Sequence, residues 1–146
     1  MDLTKNAPRS VSTTMLGIVQ LARTVDIAKA LAHGHVGEYK YDSSTNRELF
    51  EYLGMDSKEF LNIVKSAKSD SEIEAYAKTF IAKKDPRSIE AFNKKRLSEV
   101  PTGESLKHFN ELRSKIAPNR TDVTTWPDLL DLEEGRTVPQ RETVHA

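Results

Sequence analysis

Three charged side chains interrupt the most apolar segment of the sequence. Arg23, Asp26 and Lys29 are spaced three residues apart, so on a helix they lie along one edge with alternating sign. A charge that is removed from water needs a partner of opposite sign. These residues therefore form either an ion-pair ladder at the rim of a core or the polar wall of a pocket, and the sequence leaves both interpretations open.

A second group of polar residues follows this segment. His33, His35 and Glu38 include good ligands for transition-metal ions, but their spacing is not specific and the glycines between them are typical of turns, so we expect no metal site. Glu38 and Tyr39 could handle protons and donate hydrogen bonds in a pocket. The alternative is that Tyr39 and Tyr41 cover the core and keep their hydroxyls in water.

The third group lies in the stretch TTWPDLLDLEEGR, near the end of the sequence. Trp126 is the only tryptophan, and Asp128 is favoured near the start of a helix because the helix dipole places partial positive charge there. Asp131 stands between two leucines and is expected to turn inward, toward Arg23 or Lys29. An internal salt bridge that fixes the C-terminal helix is one interpretation, and a functional carboxylate is the other.

Two classes of function are compatible with these groups. We favour a non-enzymatic binding or protein-interaction domain, because the sequence lacks a glycine-rich phosphate loop, a nucleophile elbow and a HExxH pair. The alternative is a small-molecule-binding protein or enzyme, in which Arg23 would hold an anionic group, Glu38 would transfer protons and Trp126 would wall the pocket. No cofactor is expected, and enzymatic activity is left open. The candidate ligand-binding pocket, between the N-terminal core helix, the GEYKY loop and the WPDLLDL helix, consists of Arg23, Asp26, Glu38, Tyr39, Trp126, Asp128 and Asp131.

The element that would position the first group is a helix predicted from Thr13 to His33. Apolar residues occupy nearly every angle of its helical wheel, which is typical of a helix enclosed on most sides. Ser12, Thr13 or Thr14 could cap its start, and Gly34 could end it in the left-handed conformation. Its three charges make a membrane span unfavourable, because a charge at mid-bilayer costs about 2.5 kcal/mol or more.

Shorter helices are predicted to pack around this core helix. Ser69 and Glu72 could form a capping box, and Asp85 followed by Pro86 supplies an N-cap and the favoured proline at the first helical position. The predicted fold is all-α, a compact single-domain bundle of six or seven helices over residues 1–146, with an extended arm at 1–12 and a loose tail at 137–146. The other predicted helices cover approximately residues 46–53, 57–67, 70–81, 86–97, 104–116 and 126–132.

Composition limits the class of protein. Among 146 residues, 37% are hydrophobic and 30% charged, which favours helices with solvated outer faces over a sheet protein. The net charge is zero, and a basic section at 83–120 is flanked by acidic ones, so we expect internal pairing and no nucleic-acid partner. There is no cysteine, no signal-peptide pattern and no long apolar span. These features predict a soluble cytoplasmic protein with no membrane contact, whose partner is an unknown protein or a small molecule. A homo-oligomer is compatible with them.

Five segments spread over nearly the whole chain carry a family resemblance: APRS (7–10), ARTVDIAKA (22–30), GEYKYD (37–42), YLGMDSKEF (52–60) and TTWPDLLDLEEGR (124–136). In this order they resemble domain-of-unknown-function family 5069, a family of bacterial helical proteins. Its motifs are not catalytic signatures, so the resemblance implies a fold and no activity. The run HGH at 33–35 does not belong to the family pattern, which is a further argument against a metal site there.

Overall fold

The computed structural model describes residues 2–141 and confirms an all-α fold. Within that range there is no β-strand, and the chain divides into two compact units, Met1–Asn93 and Lys94–Ala146, which we call unit 1 and unit 2 and describe separately. That residues 1–146 form a single domain stays a prediction. The seven helices of the described range are α1 (Leu21–Ala32), α2 (Ser44–Leu53), α3 (Ser57–Ser66), α4 (Asp70–Ile81), α5 (Pro86–Leu97), α6 (Glu104–Ile116) and α7 (Trp126–Glu133).

The segment before α1 is a tight turn, so the prediction of one helix from residue 13 to residue 33 is wrong at its start. Met15 and Ile18 exchange two backbone hydrogen bonds, with N to O distances of 3.0 and 3.1 Å. Between them Leu16 and Gly17 have φ values of 56° and 81°, the positive values that a two-residue type I′ turn requires. The segment is apolar because Met15, Ile18 and Val19 fold back into the core, not because they line a helix.

The helix α1 is enclosed on most of its circumference, as the sequence predicts. Nine of its twelve residues are buried. Gln20 precedes its first turn, so none of the predicted caps at residues 12–14 is used. Gly34, with φ of 75°, follows the last turn in the left-handed conformation, as predicted. The core against which α1 packs includes Leu49, Phe60, Ile73 and Ala77.

Side-chain caps explain most of the helix starts in unit 1. The Ser43 hydroxyl accepts a bond from the Asn46 N–H at 3.2 Å and begins α2, and the Asp56 carboxylate accepts from the first turn of α3. The predicted capping box of α4 is not formed in that way: the Glu72 carboxylate accepts from the Lys68 N–H at 2.6 Å, and Ser69 makes no side-chain cap bond. The carboxylate still satisfies a backbone donor at the entry to the helix.

Unit 2 is built from α6 and α7 around a small core. Phe109, Val123 and Leu129 are almost completely buried. Trp126 packs edge-on against Phe109, with ring centroids 5.0 Å apart. The Thr125 hydroxyl accepts a bond from the Asp128 N–H at 3.4 Å, so the predicted cap of α7 is confirmed.

Both terminal segments of the described chain are packed. Residues 2–12 are not helical, as predicted, but Leu3 is buried and its N–H donates to the His35 carbonyl at 2.9 Å. Gly37 allows this approach, since a Cβ atom there would lie 2.9 Å from the Leu3 oxygen. Val138 is only 5% exposed, so the prediction of a loose tail is wrong for residues 137–141. Residues 142–146, the rest of that predicted tail, lie outside the described residues.

Candidate functional site

Asp26, the central charge of the predicted ladder, is neutralised by the N-terminal segment. The Arg9 backbone N–H donates to Asp26 Oδ2 at 2.8 Å, and the Arg9 guanidinium donates to the two carboxylate oxygens at 3.1 Å each. The Asp26 side chain is 6% exposed, whereas that of Arg9 is 39% exposed. The carboxylate therefore fixes residue 9 on α1, and a buried charge has its partner.

Arg23 is also buried, one turn earlier on α1, with 5% of its surface exposed. Its Nη1 donates to the Arg9 carbonyl at 3.2 Å, and its guanidinium carbon lies 5.6 Å from the centre of the Tyr39 ring. A cation at this distance over an aromatic face is attracted to it. Arg23, Asp26 and Tyr39 are therefore brought together, while Glu38 is exposed in the neighbouring turn.

Lys29, Asp128 and Asp131 each have a partner within their own unit. Lys29 forms an ion pair with Asp70, at the start of α4. In unit 2, Asp131 accepts from Arg136 at 3.4 Å, and Asp128 accepts two bonds from Arg141 at 3.0 and 3.1 Å. The predicted pairing of Asp131 with Arg23 or Lys29 stays a prediction. A single pocket formed by all seven predicted residues stays a prediction.

Unit 1 contains a cleft that the sequence analysis did not predict. Its volume is about 710 Å³, and none of the seven predicted residues lines it. Its apolar floor consists of Tyr41, Phe50, Met55 and Leu61, where the loop after α1 meets the end of α2 and the start of α3. Charged side chains surround this floor: Asp42, Arg47, Glu51, Asp56 and Lys58.

The floor of this cleft, hereafter the 41–61 cleft, is held by one hydrogen bond and two ring contacts. The Tyr41 hydroxyl donates to the Ser57 carbonyl at 2.7 Å, which joins the loop to α3. The Tyr41 ring packs edge-on against Phe50 with centroids 5.7 Å apart, and Phe50 packs in the same way against Phe60. Burial raises the pKa of the Tyr41 hydroxyl, and the neighbouring Asp56 carboxylate raises that pKa further, so this group stays protonated and acts as a donor.

The rim of the cleft is exposed and contains more acids than bases. Arg47 donates to both oxygens of Asp42, at 2.7 and 2.9 Å, and these hydrogen bonds hold the pKa of Asp42 below its usual value. Asp56 accepts from two backbone N–H groups of α3. Glu51 and Lys58 complete the rim on opposite helices and are exposed.

A second cavity, of about 700 Å³, lies open along one side of α6 in unit 2. It is lined by a single helix and its preceding glycine, and Leu106 is 47% exposed there. Residues 2–141 contain no group of three or more histidine, cysteine, aspartate or glutamate side chains that could hold a metal ion. In the same range no helix has the length and apolar character needed to cross a membrane.

A family model described as a domain of unknown function, DUF5069, matches residues 5–136. The chain belongs to this family. A search of curated proteins found no match. The DUF5069 match contains all seven helices of the described range and the 41–61 cleft, and it ends directly before the packed segment 137–141.

This DUF5069 chain also contains a buried amide network that was not predicted from the sequence. Gln20 Nε2 and the Thr24 hydroxyl both donate to Asn46 Oδ1, at 2.9 and 2.7 Å, and Asn46 Nδ2 donates to the Tyr41 carbonyl at 3.0 Å. Gln20 Oε1 is buried without a hydrogen-bond partner, and its backbone has φ of 74°. Asn46 thereby connects α1 to the loop that carries Tyr41 into the cleft. The only sequence signal was a polar residue on the apolar face of α2.

Proposed function

We propose that the protein is a non-enzymatic binding domain that holds a short peptide segment of another protein in the 41–61 cleft. An apolar side chain of the segment would lie on the floor, and a neighbouring basic side chain would lie at the rim. The observation that carries this proposal is an open cleft of about 710 Å³ with an apolar floor and an acidic rim. Apolar clefts with a few charged groups at the edge are the usual form of ligand sites.

The apolar part of the proposal depends on the floor. Phe50 and Met55 are largely buried, while Tyr41 and Leu61 are half-buried, so an incoming aliphatic group meets a surface that is already formed. The edge-on ring contacts and the bond from Tyr41 to Ser57 keep this surface from collapsing. A preformed site loses less conformational entropy on binding.

The basic part depends on the charge of the rim. The rim has three carboxylates against two bases, and the sequence from residue 42 to residue 75 has eight acids against four bases. Arg47 already neutralises Asp42, so Glu51 is the rim carboxylate best placed to attract a cation. Complementary charge of this kind contributes to specificity and association rate more than to affinity.

The alternative, a small-molecule or enzyme site at the seven residues predicted from the sequence, has weaker support. Asp26, Asp128 and Asp131 each accept hydrogen bonds from an arginine. A general base needs a carboxylate that can reach a substrate proton. Carboxylates held by arginines favour a structural ion-pair network, which is the outcome expected of a binding domain.

The test uses two dipeptides, acetyl-Leu-Arg-amide and acetyl-Leu-Glu-amide, with protein labelled at the methionine methyl groups. The chain has three methionines, of which Met55 lines the cleft and Met15 does not. We expect the cationic dipeptide to shift the NMR signal of the Met55 methyl group in a saturable manner while the Met15 signal stays in place. We expect the anionic dipeptide to bind about two- to fivefold more weakly, the range of an exposed ion pair, and to leave the Met15 signal in place.

Two charge variants sharpen the test. Glu51→Lys reverses the rim charge and should weaken binding of the cationic dipeptide about two- to fivefold, the range of an exposed ion pair. Glu90→Lys makes the same change on exposed α5, away from the cleft, and should leave the affinity unchanged. If neither dipeptide shifts the Met55 signal, or if Glu90→Lys has the same effect as Glu51→Lys, the proposal is wrong.

A further inference from the structure

A second recognition site lies in unit 2 and does not rest on the cleft of unit 1. The segment 138–141 has no regular secondary structure, yet its backbone is bound by side chains. Arg120 Nη1 donates to the Val138 carbonyl and Arg120 Nη2 donates to the Pro139 carbonyl, both at 2.9 Å. One planar guanidinium thus binds two successive carbonyls, so the segment cannot slide along its length relative to Arg120.

Asp122 provides the opposite half of this contact. Its carboxylate accepts two bonds from Arg120 at 3.0 Å each and a third from the Arg141 backbone N–H at 2.8 Å. Asp122 is 7% exposed, so these bonds form out of contact with most solvent. The hydrogen bonds from Arg120, followed by that from the Arg141 N–H, lower the pKa of Asp122, so the acceptor is charged throughout the ordinary pH range.

Two side chains of the segment are recognised as well as its backbone. Val138 is buried, and the Arg141 guanidinium donates to both oxygens of Asp128 on α7. The Gln140 side chain, between them, is exposed. Main-chain bonds for affinity and alternate side-chain sites for specificity are the features by which proteins bind extended peptides.

We propose that Arg120, Asp122, Asp128 and the site of Val138 form a peptide-binding groove, here called the tail groove, which the chain's own segment 138–141 occupies until another protein displaces it. The competing partner would carry a branched apolar residue and an arginine three positions later. The argument for this occupant is that the groove already holds that pattern and contacts each of these elements. The side chains of Pro139 and Gln140 are exposed, so we expect neither residue type to be selected.

A tethered segment competes strongly with a free one. For a short linker the effective concentration of the tethered ligand is in the millimolar range, and only residues 134–137 separate α7 from Val138. We therefore expect that weakly binding peptides do not displace the tethered segment from the groove, whereas a partner that makes further contacts does. This arrangement makes the segment an autoinhibitory ligand.

The test frees the groove in the full-length chain. The double variant Val138→Asp, Arg141→Ala removes both side-chain anchors of the tethered segment but leaves Arg120, Asp122 and Asp128 intact. The probe is a fluorescein-labelled peptide with residues 137–141, TVPQR, blocked at both ends. We expect the double variant to bind this probe at least about tenfold more tightly than wild type, since the tethered competitor is gone.

Several controls keep the result interpretable. Trp126 is the only tryptophan and packs on Phe109, so an unchanged emission spectrum shows that the core of unit 2 remains folded. In the double variant, a further Asp122→Ala change should abolish binding. If that protein does not fold, Arg120→Lys, which cannot bind two carbonyls in the same fork geometry, should weaken it strongly.

The proposal is overturned if the folded double variant does not bind the probe, or if it binds a scrambled peptide, QPTRV, equally well. It is also overturned if wild type forms dimers in sedimentation that the double variant does not form, because the occupant would then be a second copy of this chain. Binding of TVPQR by the double variant, with loss on changing Asp122, supports it.

Discussion

The two units of this protein are stabilised in different ways. Unit 1 has an extended hydrophobic core in which Leu21, Leu49 and Phe60 are completely buried, and its buried carboxylate, Asp26, is paired with Arg9. Unit 2 has a core of three buried side chains, and its buried polar residues include Arg96, paired with Glu99, and Asp122. A small unit buries little apolar surface. We therefore expect a core substitution to lower the free energy of unfolding less in unit 2 than in unit 1, and the loss of a charge contact to lower it more.

The largest effect is expected from the core of unit 1. Phe60→Ala removes a completely buried ring that packs on Phe50 and should lower the free energy of unfolding by about 3–5 kcal/mol. Urea denaturation followed by circular dichroism measures this change. Leu61→Ala, at a half-buried neighbour, is the control and should cost clearly less. A Phe60→Ala loss below about 1 kcal/mol would contradict the account of unit 1.

A smaller but still large effect is expected from the amide network. Asn46→Leu leaves the Gln20 amide buried without its acceptor and leaves the Thr24 hydroxyl only its bond to the Gln20 carbonyl, which should cost about 2 kcal/mol or more. Asn62→Leu changes an exposed asparagine on α3 and should have almost no effect. If the same urea titration gave equal decreases in the free energy of unfolding for the two variants, the buried network would not contribute to stability.

In unit 2 the corresponding change acts on a charge. Asp122→Ala should release the segment 138–141, so that the Arg141 amide loses protection against hydrogen exchange while the Phe109 amide keeps it. The sign of the pH dependence follows from the lowered pKa of Asp122. A carboxyl group whose pKa is lowered in the folded state contributes its full stability above its ordinary pKa of 3.8. This contribution is lost as the pH falls through the lower pKa of the folded state. Wild type should therefore keep the Arg141 amide protected at pH 4, and loss of protection between pH 6 and pH 4 would contradict this.

The smallest effect, in the opposite direction, is expected at the turn before α1. Leu16 is partly exposed and has a positive φ of 56°, which asparagine tolerates better than leucine. Leu16→Asn gives the Asn-Gly pair that type I′ turns prefer and should stabilise the protein by about 0.5 kcal/mol. The thermal midpoint measures it, with Leu31→Asn, an equally exposed leucine on α1, as a control that should not stabilise. A lower midpoint for Leu16→Asn would mean that the contacts of the leucine side chain stabilise the protein more than the improved backbone conformation of asparagine does.

Local signals predicted most of the helices. Asp56, Pro86 and Thr125 act at helix starts as their residue types suggest, because a cap depends on neighbours within three positions. The turn at Leu16 and Gly17 was missed because a buried turn and a buried helix have the same all-round apolar composition. A glycine inside that run was the one sign of a break.

The candidate site was less predictable, because its contacts join residues far apart in sequence. The partner of Asp26 is Arg9, seventeen positions earlier, and no spacing rule selects it from among the chain's basic residues. The 41–61 cleft depends on the way Tyr41 reaches Ser57, which the pattern of α2 and α3 does not encode. The contact between Arg120 and the segment 138–141 uses backbone carbonyls, which carry no sequence signal at all.

The most direct test of the proposed function is to locate a bound ligand by NMR. Acetyl-Leu-Arg-amide is added to isotopically labelled wild-type protein, and intermolecular nuclear Overhauser effects from its leucine methyl groups are recorded. We expect them to reach the Tyr41 ring and the Met55 methyl group, both at the floor of the cleft. Effects that reach Leu106 on α6 instead, with none at Tyr41 or Met55, would contradict the account of the 41–61 cleft as the binding site.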